Sequence, residues 1–428
     1  MNKIKELYHH FLLSDGVTTD SRENVTNKIF FALSGENFNG NKFAGEALKK
    51  GAKLCVIDDP DYITDEMYFS VNNVLTALQE LANHHRKKSY VTVIAITGSN
   101  GKTTTKELIS SVLGSYIDIT FTEGNYNNHI GVPLTLLNIK STTKIAVVEM
   151  GANHIGEIGK LCEIAQPDIG IITNIGKAHL EGFGSFDGVI LAKNELYNYI
   201  KKSKGKIIVN KDDSLLNKLS EDIPKFTYGK NNADVEGEII EYNPFLKLKW
   251  SIGNDIIECN TQLYGKYNFD NIMAAIATGL FFSIPFEKIN SAIEGYIPKN
   301  NRSQQIVTNN NSIILDAYNA NPTSMSDAII SFINSNFESP WLILGDMFEL
   351  GEYSSSEHQE IVNQIINNNV QDVILVGNDF YNTIGHSFLR FKATDDAIAH
   401  LSTNIIKNSS ILVKGSRGMK LERLLDFL

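Results

Sequence analysis

Residues 94–107 place an apolar strand, a glycine-containing turn and the start of a helix one after another, in the order Ile-Ala-Ile-Thr-Gly-Ser-Asn-Gly-Lys-Thr-Thr-Thr-Lys-Glu. Backbone N–H groups in such a turn converge on phosphate oxygens, and the helix adds the positive end of its dipole. In an open α/β sheet, ligands bind beyond the carboxyl ends of the strands, which is where this turn lies. The segment therefore predicts both an α/β fold and a bound nucleotide.

Two side chains of this turn would carry its chemistry. The Lys102 ammonium would bridge the outer phosphates, and the Thr103 hydroxyl would hold Mg²⁺. The general pattern G-x-x-x-x-G-K-[ST] is not fully met, because Ile96 stands at its first glycine position. The alternative is an ordinary strand, turn and helix with incidental glycines. Because strand, Gly-x-x-Gly-Lys-Thr and helix occur together, we favour the phosphate site.

Short apolar runs alternate with helical patterns along the chain, which predicts buried parallel strands in an α/β protein. We expect three domains: a small α/β N-terminal domain (1–88), a central P-loop-type mononucleotide-binding domain with a parallel sheet (89–297), and a C-terminal Rossmann-like, doubly wound domain (298–428). The polar run at 84–88 and the segment Tyr-Ile-Pro-Lys-Asn-Asn at 296–301 suggest the boundaries. Residues 234–258 alternate like strands, and a last helix is expected from Met419.

Composition argues against several classes of partner. The 428 residues carry a net charge of −10, whereas nucleic acids and anionic membranes attract basic surfaces. No run approaches the ~18 apolar residues of a membrane span, and the N-terminus has no apolar signal region, so we expect a cytoplasmic protein without stable membrane insertion. The three cysteines are far apart and predict neither a disulfide framework nor a metal site.

Polar side chains follow the predicted strands. Glu149 ends an apolar strand and, beside a phosphate loop, is placed to hold Mg²⁺. For His179, after the next strand, a structural role and a role as a neutral imidazole ligand stay equally open. The spacing of Lys193 supports no more than a solvated helix lysine. In the last third, three polar, glycine-bearing loops at 316–322, 344–351 and 414–418 follow strands, which predicts a ligand surface along one sheet edge.

Together these segments resemble the Mur ligases, the ATP-dependent amino-acid and peptide ligases of peptidoglycan precursor synthesis. The resemblance rests on Thr-Gly-Ser-Asn-Gly-Lys-Thr at 97–103, on Thr-Asp-Ser-Arg at 19–22, on the segments at 125–133 and 265–271, and on the three loops of the last third. It covers nearly the whole chain. Asn-Gly-Asn at 39–41, where Asp-Gly-His is usual, and Tyr267, where histidine is common, depart from the family pattern.

The resemblance implies an enzyme that uses ATP and two Mg²⁺ ions to join D-alanyl-D-alanine to a UDP-muramoyl tripeptide through an acyl phosphate. We expect it to act as a monomer on these small molecules and not on nucleic acid. It implies Lys102, Lys193, His179 and Glu149 as catalytic residues, and Thr103, Glu149, His179 and a carbamylated Lys193 as metal ligands. Nucleotide contacts are implied at Gly98, Asn100, Gly101, Lys102, Thr103, Thr104, Asn268, Asn271, Arg302 and Asp316. Substrate contacts are implied at Ser21, Arg22, Asn127, Asn128, Asn319 and Ser416.

Two alternatives stay open. One is another ligase of the superfamily, either diamino-acid-adding or of the folylpolyglutamate type. The sequence lacks the Asp-Asn-Pro-Arg-type segment of the amino-acid-adding tripeptide synthetases, and folylpolyglutamate synthases lack a UDP-binding N-terminal domain. The other is a non-catalytic nucleotide-binding protein. The intact residues Lys102, Thr103, Glu149 and His179 argue against it.

Overall fold

The structure is a computed structural model that describes residues 3–335, 337–385 and 387–428. Its N-terminal sheet has four parallel strands in the order β1-β2-β5-β6, and β3 and β4 form a separate antiparallel pair. The elements of this part are α1 (Lys3–Leu12), β1 (Val17–Thr18), β2 (Ile29–Phe31), β3 (Ser34–Gly35), β4 (Phe38–Asn39), α2 (Ala44–Lys49), β5 (Leu54–Ile57), β6 (Tyr68–Ser70) and α3 (Val74–Lys88).

The polar run at 84–88 forms the last turn of α3 and is not a linker. Basic side chains are favourable there, because the carboxyl end of a helix carries partial negative charge. The apolar face of α3 packs into one core with the central domain, where Leu78 and Leu81 share a cluster with Val132 and Leu161. The hydrophobic core is therefore continuous across residue 88, and the exact domain boundaries stay predictions.

The central sheet has nine strands in the order β15-β14-β13-β12-β11-β10-β7-β9-β8. Pairs from β8 to β13 are parallel, and β13, β14 and β15 form an antiparallel extension that accounts for the alternation seen at 234–258. The elements are β7 (Thr92–Thr97), α4 (Lys102–Gly114), β8 (Ile119–Phe121), α5 (Gly131–Leu137), β9 (Ile145–Glu149), α6 (Glu157–Ala165), β10 (Ile169–Ile172), α7 (Leu180–Phe183), α8 (Phe186–Ser203), β11 (Lys206–Asn210), α9 (Ser214–Leu219), β12 (Lys225–Gly229), β13 (Val235–Glu241), β14 (Phe245–Ile252), β15 (Asp255–Tyr264), α10 (Asn268–Phe281) and α11 (Phe286–Glu294).

The C-terminal sheet has six strands in the order β16-β17-β21-β18-β19-β20, with only β16 antiparallel. Successive residues of β18 alternate between its faces: Leu342 and Leu344 pack in the cluster of α12 and α13, and Ile343 packs with residues of α15. This is the doubly wound arrangement that the sequence predicts. The elements are β16 (Gln304–Val307), β17 (Asn311–Asp316), α12 (Pro322–Ile333), β18 (Pro340–Gly345), α13 (Ser354–Asn367), β19 (Val373–Val376), α14 (Asn378–Tyr381), β20 (Leu389–Phe391), α15 (Thr394–Leu401) and β21 (Ser409–Lys414).

The last helix, expected from Met419, forms as two 3-10 segments, Arg417–Met419 and Leu421–Phe427, and not as an α-helix. Lys420 adopts a left-handed backbone with φ 54° between them, which ends the first turn. Leu421 and Leu424 are both fully buried, and their spacing of three residues matches the three-residue period of a 3-10 helix. Elsewhere in the described residues, no helix is both long and apolar enough to cross a lipid bilayer.

Candidate active site

The phosphate loop lies where the central sheet changes its direction of winding. Strand β7 is flanked by β9 and β10, with Ile96 opposite Glu149 and Thr97 opposite Ile172. The carboxyl ends of all three strands therefore meet at one point, which is where ligands bind in open α/β sheets. Glu149 and the loop after β10, which carries His179, are thus brought to either side of the phosphate loop, as the sequence predicts.

Two glycines of the loop are required by close packing. Gly98 and Gly101 have φ values of 144° and 77°. A Cβ atom on Gly98 would lie 2.0 Å from Thr173 Oγ1, and one on Gly101 would lie 2.3 Å from Asn271 Oδ1. The loop is consequently fixed against its neighbours, and only a residue without a side chain fits at either position.

The Lys102 ammonium is folded back onto its own loop. Its Nζ donates to the carbonyl oxygens of Gly98 at 2.6 Å and Ser99 at 3.0 Å. Desolvation lowers the pKa of Lys102 to about 8, against the opposing effect of the Glu149 carboxylate. Thr104, beside it in the first turn of α4, is half-buried. The amine is therefore held at the position from which it could turn to a bound phosphate.

The Glu149 carboxylate is buried and only half satisfied. Its Oε1 accepts hydrogen bonds from Thr103 Oγ1 at 3.1 Å and from Asn127 Nδ2 at 2.7 Å. Its Oε2 is buried without a hydrogen-bond partner among the described residues. Buried polar atoms are nearly always paired, so an unpaired carboxylate oxygen beside a threonine hydroxyl fits a hard cation that prefers oxygen ligands.

His179 and Lys193 both lie near one aromatic ring, that of Phe183. The centroid of the Phe183 ring is 6.3 Å from that of His179 and 5.3 Å from Lys193 Nζ. Lys193 is 1% exposed, so its interpretation as a solvated helix lysine is wrong. Desolvation, helped by the nearby Lys102 ammonium, lowers the pKa of Lys193 to about 7. The amine of Lys193 therefore loses its proton far more easily than in water, and its role in the site stays a prediction.

The C-terminal domain reaches this site through the loop after β17. Asn321 Nδ2 donates to Asn100 Oδ1 of the phosphate loop at 2.7 Å. Nearby, the Lys177 backbone N–H donates to Thr323 Oγ1 at 3.2 Å, and its ammonium pairs with Glu357 at 2.6 Å. The loops of two domains therefore meet around the phosphate loop.

Arg302 and Asp316 lie at the start of the C-terminal domain, each with its own partners. The Arg302 guanidinium lies 3.7 Å from the centroid of the Tyr318 ring. Asp316 pairs with Lys414 at 2.5 Å and accepts the backbone N–H of Ser303 at 3.2 Å. The carboxyl ends of the neighbouring strands β17 and β21, from which two of the polar loops start, are thus joined by an ion pair.

Asn268 and Asn271 are buried in a hydrogen-bonded chain beneath the phosphate loop. Asn271 accepts from Thr105 Oγ1 at 3.0 Å and donates to Asn268 Oδ1 at 2.9 Å, and Asn268 donates to the Tyr264 carbonyl at 2.8 Å. These bonds use most of their amide groups within the protein. Their direct contact with nucleotide stays a prediction.

The expected substrate contacts are dispersed. Ser21 is buried and its carbonyl accepts from Lys50, whereas Arg22 is exposed and pairs with Asp20 at 2.6 Å, which lowers the pKa of that carboxyl to about 2. In the other two domains, Asn128 Oδ1 accepts the first N–H groups of α5, Asn319 is exposed, and Ser416 Oγ accepts from the Phe348 N–H at 2.9 Å.

The side chains of a second polar cluster are engaged in hydrogen bonds that hold a loop. Asp346 accepts the backbone N–H groups of Asp379 and Phe380 at 3.0 and 2.9 Å. His358 accepts the Met347 N–H on Nε2 at 2.9 Å, and its Nδ1 lies 2.7 Å from the Ser354 carbonyl. These partners occupy the atoms that a metal would need. The cluster, although close enough for a cation, fixes the loop after β18.

Sequence reasoning missed three residues that shape the site. Thr173 and Asn174 hold the phosphate loop, since Thr173 Oγ1 donates to the Asn100 carbonyl at 2.6 Å and Asn174 Oδ1 accepts its N–H at 3.0 Å. Their position directly after β10 was the available signal. Glu349 contacts Nδ1 of His179 from the other domain, and no sequence spacing indicates that contact.

Comparison with known proteins covers the chain in three parts. Residues 14–97, 96–279 and 301–417 match the models "Mur ligase family, catalytic domain", "Mur ligase middle domain" and "Mur ligase, glutamate ligase domain". The UDP-N-acetylmuramoyl-tripeptide–D-alanyl-D-alanine ligase of Bacillus subtilis is 36% identical, with 96% of this chain and 93% of the relative covered. The crystal structure of MurF from Acinetobacter baumannii has a TM-score of 0.86 at 30% identity, covering 96% and 92%. MurF from Thermotoga maritima, in complex with ADP, has a TM-score of 0.85 at 26% identity, covering 97% of each chain.

Proposed function

From the premise that this chain belongs to the Mur ligase family, we propose that it joins D-alanyl-D-alanine to the terminal carboxylate of a UDP-N-acetylmuramoyl tripeptide at the expense of ATP. The half-satisfied Glu149 carboxylate beside the phosphate loop is the observation that carries the ATP-dependent chemistry. The choice of substrates rests on relatives that bear the name of this reaction over nearly the full length of the chain.

The chemistry requires activation because a carboxylate oxygen is a poor leaving group. Transfer of the γ-phosphoryl group to the carboxylate gives an acyl phosphate and ADP. The amine of the dipeptide then attacks the acyl carbon, and the tetrahedral intermediate expels phosphate. The protein must bring two anions together, and Lys102 would offset charge on the transferred group. Contact between the loops of two domains would exclude water, which otherwise hydrolyses the acyl phosphate.

The metal ligands would be Thr103, Glu149, His179 and Lys193. Mg²⁺ supplies positive charge that screens the repulsion between phosphate and carboxylate. Glu149 fits this role by its unpaired Oε2, and Thr103 by its hydroxyl at 3.1 Å from the same carboxylate. Glu149 ends β9, and Thr103 lies in the first turn of α4, which follows the neighbouring parallel strand β7, so the two side chains are held next to each other.

Lys193 would contribute as a carbamate. Its neutral amine would add to CO₂, with loss of one proton, to give a carboxylate-like oxygen donor of the kind that Mg²⁺ prefers. Burial supports this step, because it favours the neutral amine that the reaction requires. An unmodified ammonium at this position would instead repel a cation.

The ends of the two substrates would bind in different domains. Ser21 and Arg22 would contact the UDP-sugar in the N-terminal domain, with Asn127 and Asn128 nearer the acyl group. Asn319 and Ser416 would face the dipeptide. We place the reaction in the cytoplasm because it consumes ATP, and expect a monomer because all of the proposed site residues come from one chain.

The decisive test is mass spectrometry of products. Purified protein should convert UDP-muramoyl tripeptide, D-alanyl-D-alanine and ATP into the pentapeptide-linked product, ADP and phosphate. Tripeptides ending in diaminopimelate and in lysine should be compared. Single amino acids should also be tested in place of the dipeptide. Formation of product with a single amino acid and not with the dipeptide would refute the substrate assignment. ATP binding without any ligated product would refute the enzymatic role.

A further inference from the structure

We propose that Glu349 of the C-terminal domain is a positioning residue for His179, holding its Nδ1 so that Nε2 is the atom left for the metal. The metal site would then be complete only when the C-terminal domain is in contact with the central domain. This inference deepens the proposed function and rests on it for the role of His179.

The contact itself is the first support. A carboxylate oxygen of Glu349 lies directly against His179 Nδ1. In the described part of the chain, His179 Nε2 has no hydrogen bond. An imidazole that binds a metal almost always donates its other N–H group to a carboxylate, a carbonyl or water, which fixes the tautomer and the direction of the ring. Glu349 is the carboxylate in this position.

The backbone on both sides of the contact is constrained. His179 and Glu349 both adopt left-handed conformations, with φ 52° and 62°, which non-glycine residues rarely take. The Glu181 N–H donates to the Glu349 carbonyl at 3.2 Å, so the two loops are also joined through their main chains. Strained backbone of this kind persists where the surroundings overdetermine it, and it is concentrated at functional sites.

The loop that carries Glu349 is anchored on both sides. Ser416 Oγ accepts the Phe348 N–H at 2.9 Å, and His358 accepts the Met347 N–H at 2.9 Å. Gly351, two residues beyond Glu349, has φ 56°, and a Cβ atom there would lie 3.3 Å from Cβ of Glu181. The Glu349 side chain is half exposed, but it extends from a loop whose backbone is fixed.

An ion pair between the same domains provides a matched control. Lys177 and Glu357 pair at 2.6 Å, two residues along from His179 on the same loop. If Glu349 only helped to hold the domains together, removing either glutamate would have the same effect. If Glu349 orients the imidazole, only its removal should change the affinity for metal.

The test compares Glu349→Ala, Glu349→Gln and Glu357→Ala in the full chain, with Mn²⁺ binding in the presence of ADP followed by electron paramagnetic resonance. Loss of an outer partner of a metal-binding histidine typically weakens metal affinity by about 10- to 100-fold. We expect that loss for Glu349→Ala, partial recovery in Glu349→Gln, whose amide oxygen still accepts a hydrogen bond, and affinity within about twofold of wild type for Glu357→Ala. In a His179→Ala background, Glu349→Ala should cause no further loss.

Equal losses in Glu349→Ala and Glu357→Ala would overturn the inference, as would an unchanged affinity in Glu349→Ala. Thermal unfolding of each variant shows whether the protein is folded. If Glu349→Ala is not folded, Glu349→Gln can be compared with Glu357→Ala in its place. Mn²⁺ binding is scored without turnover. A wild-type protein that forms no ligated product would thus refute the proposed function and leave the Glu349 comparison to be decided separately.

Discussion

Replacing Lys193 by methionine should stabilise the unmodified protein while abolishing ligation. Lys193 is 1% exposed, and in the described part of the chain its ammonium has no hydrogen bond or ion pair; its Nζ lies 5.3 Å from the centroid of the Phe183 ring. Methionine has a similar length and no charge, so it can occupy the same space without a desolvation penalty. The lysine is therefore retained for a purpose other than stability.

The size of the effect follows from the pKa. Burial lowers the pKa of Lys193 from its usual 10.5 to about 7, and each pH unit of difference corresponds to about 1.36 kcal/mol. Below pH 7 the folded protein must keep the buried Lys193 amine charged. This charge lowers the free energy of unfolding by at most about 5 kcal/mol. Between pH 7 and 10.5 the unfolded chain binds a proton that the folded protein does not, so the wild-type free energy of unfolding rises with pH. The advantage of the variant should shrink to about 2 kcal/mol at pH 9.

Urea unfolding of wild type and Lys193→Met between about pH 6.5 and 9, in buffer free of CO₂, measures this difference. Lys202→Met, an exposed lysine on the same helix, is the matched control and should change stability by less than about 0.5 kcal/mol. Added bicarbonate should stabilise the wild type and not Lys193→Met, because only the wild type can form a carbamate. If Lys193→Met were less stable than the wild type by the same amount at every pH, the amine would be compensated in the folded state. The burial of Lys193 would then give no support to carbamylation.

Three further changes test the phosphate loop. Lys102→Ala should leave the protein folded by circular dichroism and abolish ADP formation, because no other loop side chain offsets charge on the transferred phosphoryl group; near-normal turnover would contradict the loop assignment. Gly101→Ala should lower the thermal midpoint and nucleotide affinity, since φ 77° costs a side chain about 1–2 kcal/mol and the new Cβ would lie 2.3 Å from Asn271 Oδ1; unchanged ADP binding by calorimetry would show that the loop shifts freely. Asn321→Ala should raise the KM for ATP about fivefold by removing its 2.7 Å bond to Asn100, worth about 1 kcal/mol; an unchanged KM would show that this contact between domains does not matter for nucleotide binding.

The buried centre of each sheet could be predicted from the sequence, and its edges could not. Strands β5, β10 and β19 coincide with continuous apolar runs because both of their faces are covered. Strands β8 and β20 are edge strands of three residues with exposed side chains, and they have no such run. The same reasoning predicted the position of Glu149, because the carboxyl end of a central parallel strand lies where ligands bind.

Long-range contacts explain what the sequence could not show about the site. Lys193 has the helical spacing of a surface residue, and its burial results from the way α7 and Phe183 fold over it. Glu349 and His179 belong to different domains, so their contact depends on how the two domains pack against each other. The local sequence pattern indicates the periodicity of one element, whereas the environment of a side chain is set by elements far away in the chain.

The charges of the site explain why the proposed carbamate and metal ions would depend on each other. Lys102 gives one positive charge, partly used by the loop carbonyls at 2.6 and 3.0 Å, and Glu149 gives one negative charge with an unpaired oxygen. A carbamate on Lys193 would add a second negative charge in a buried position, which is costly without a cation. The metal in turn would meet an ammonium if Lys193 stayed unmodified. Carbamylation of Lys193 and binding of the metal ions would therefore each remove the electrostatic obstacle to the other. Once both have occurred, the site would change from nearly neutral to strongly positive, at the point where the carboxylate and the γ-phosphate must meet.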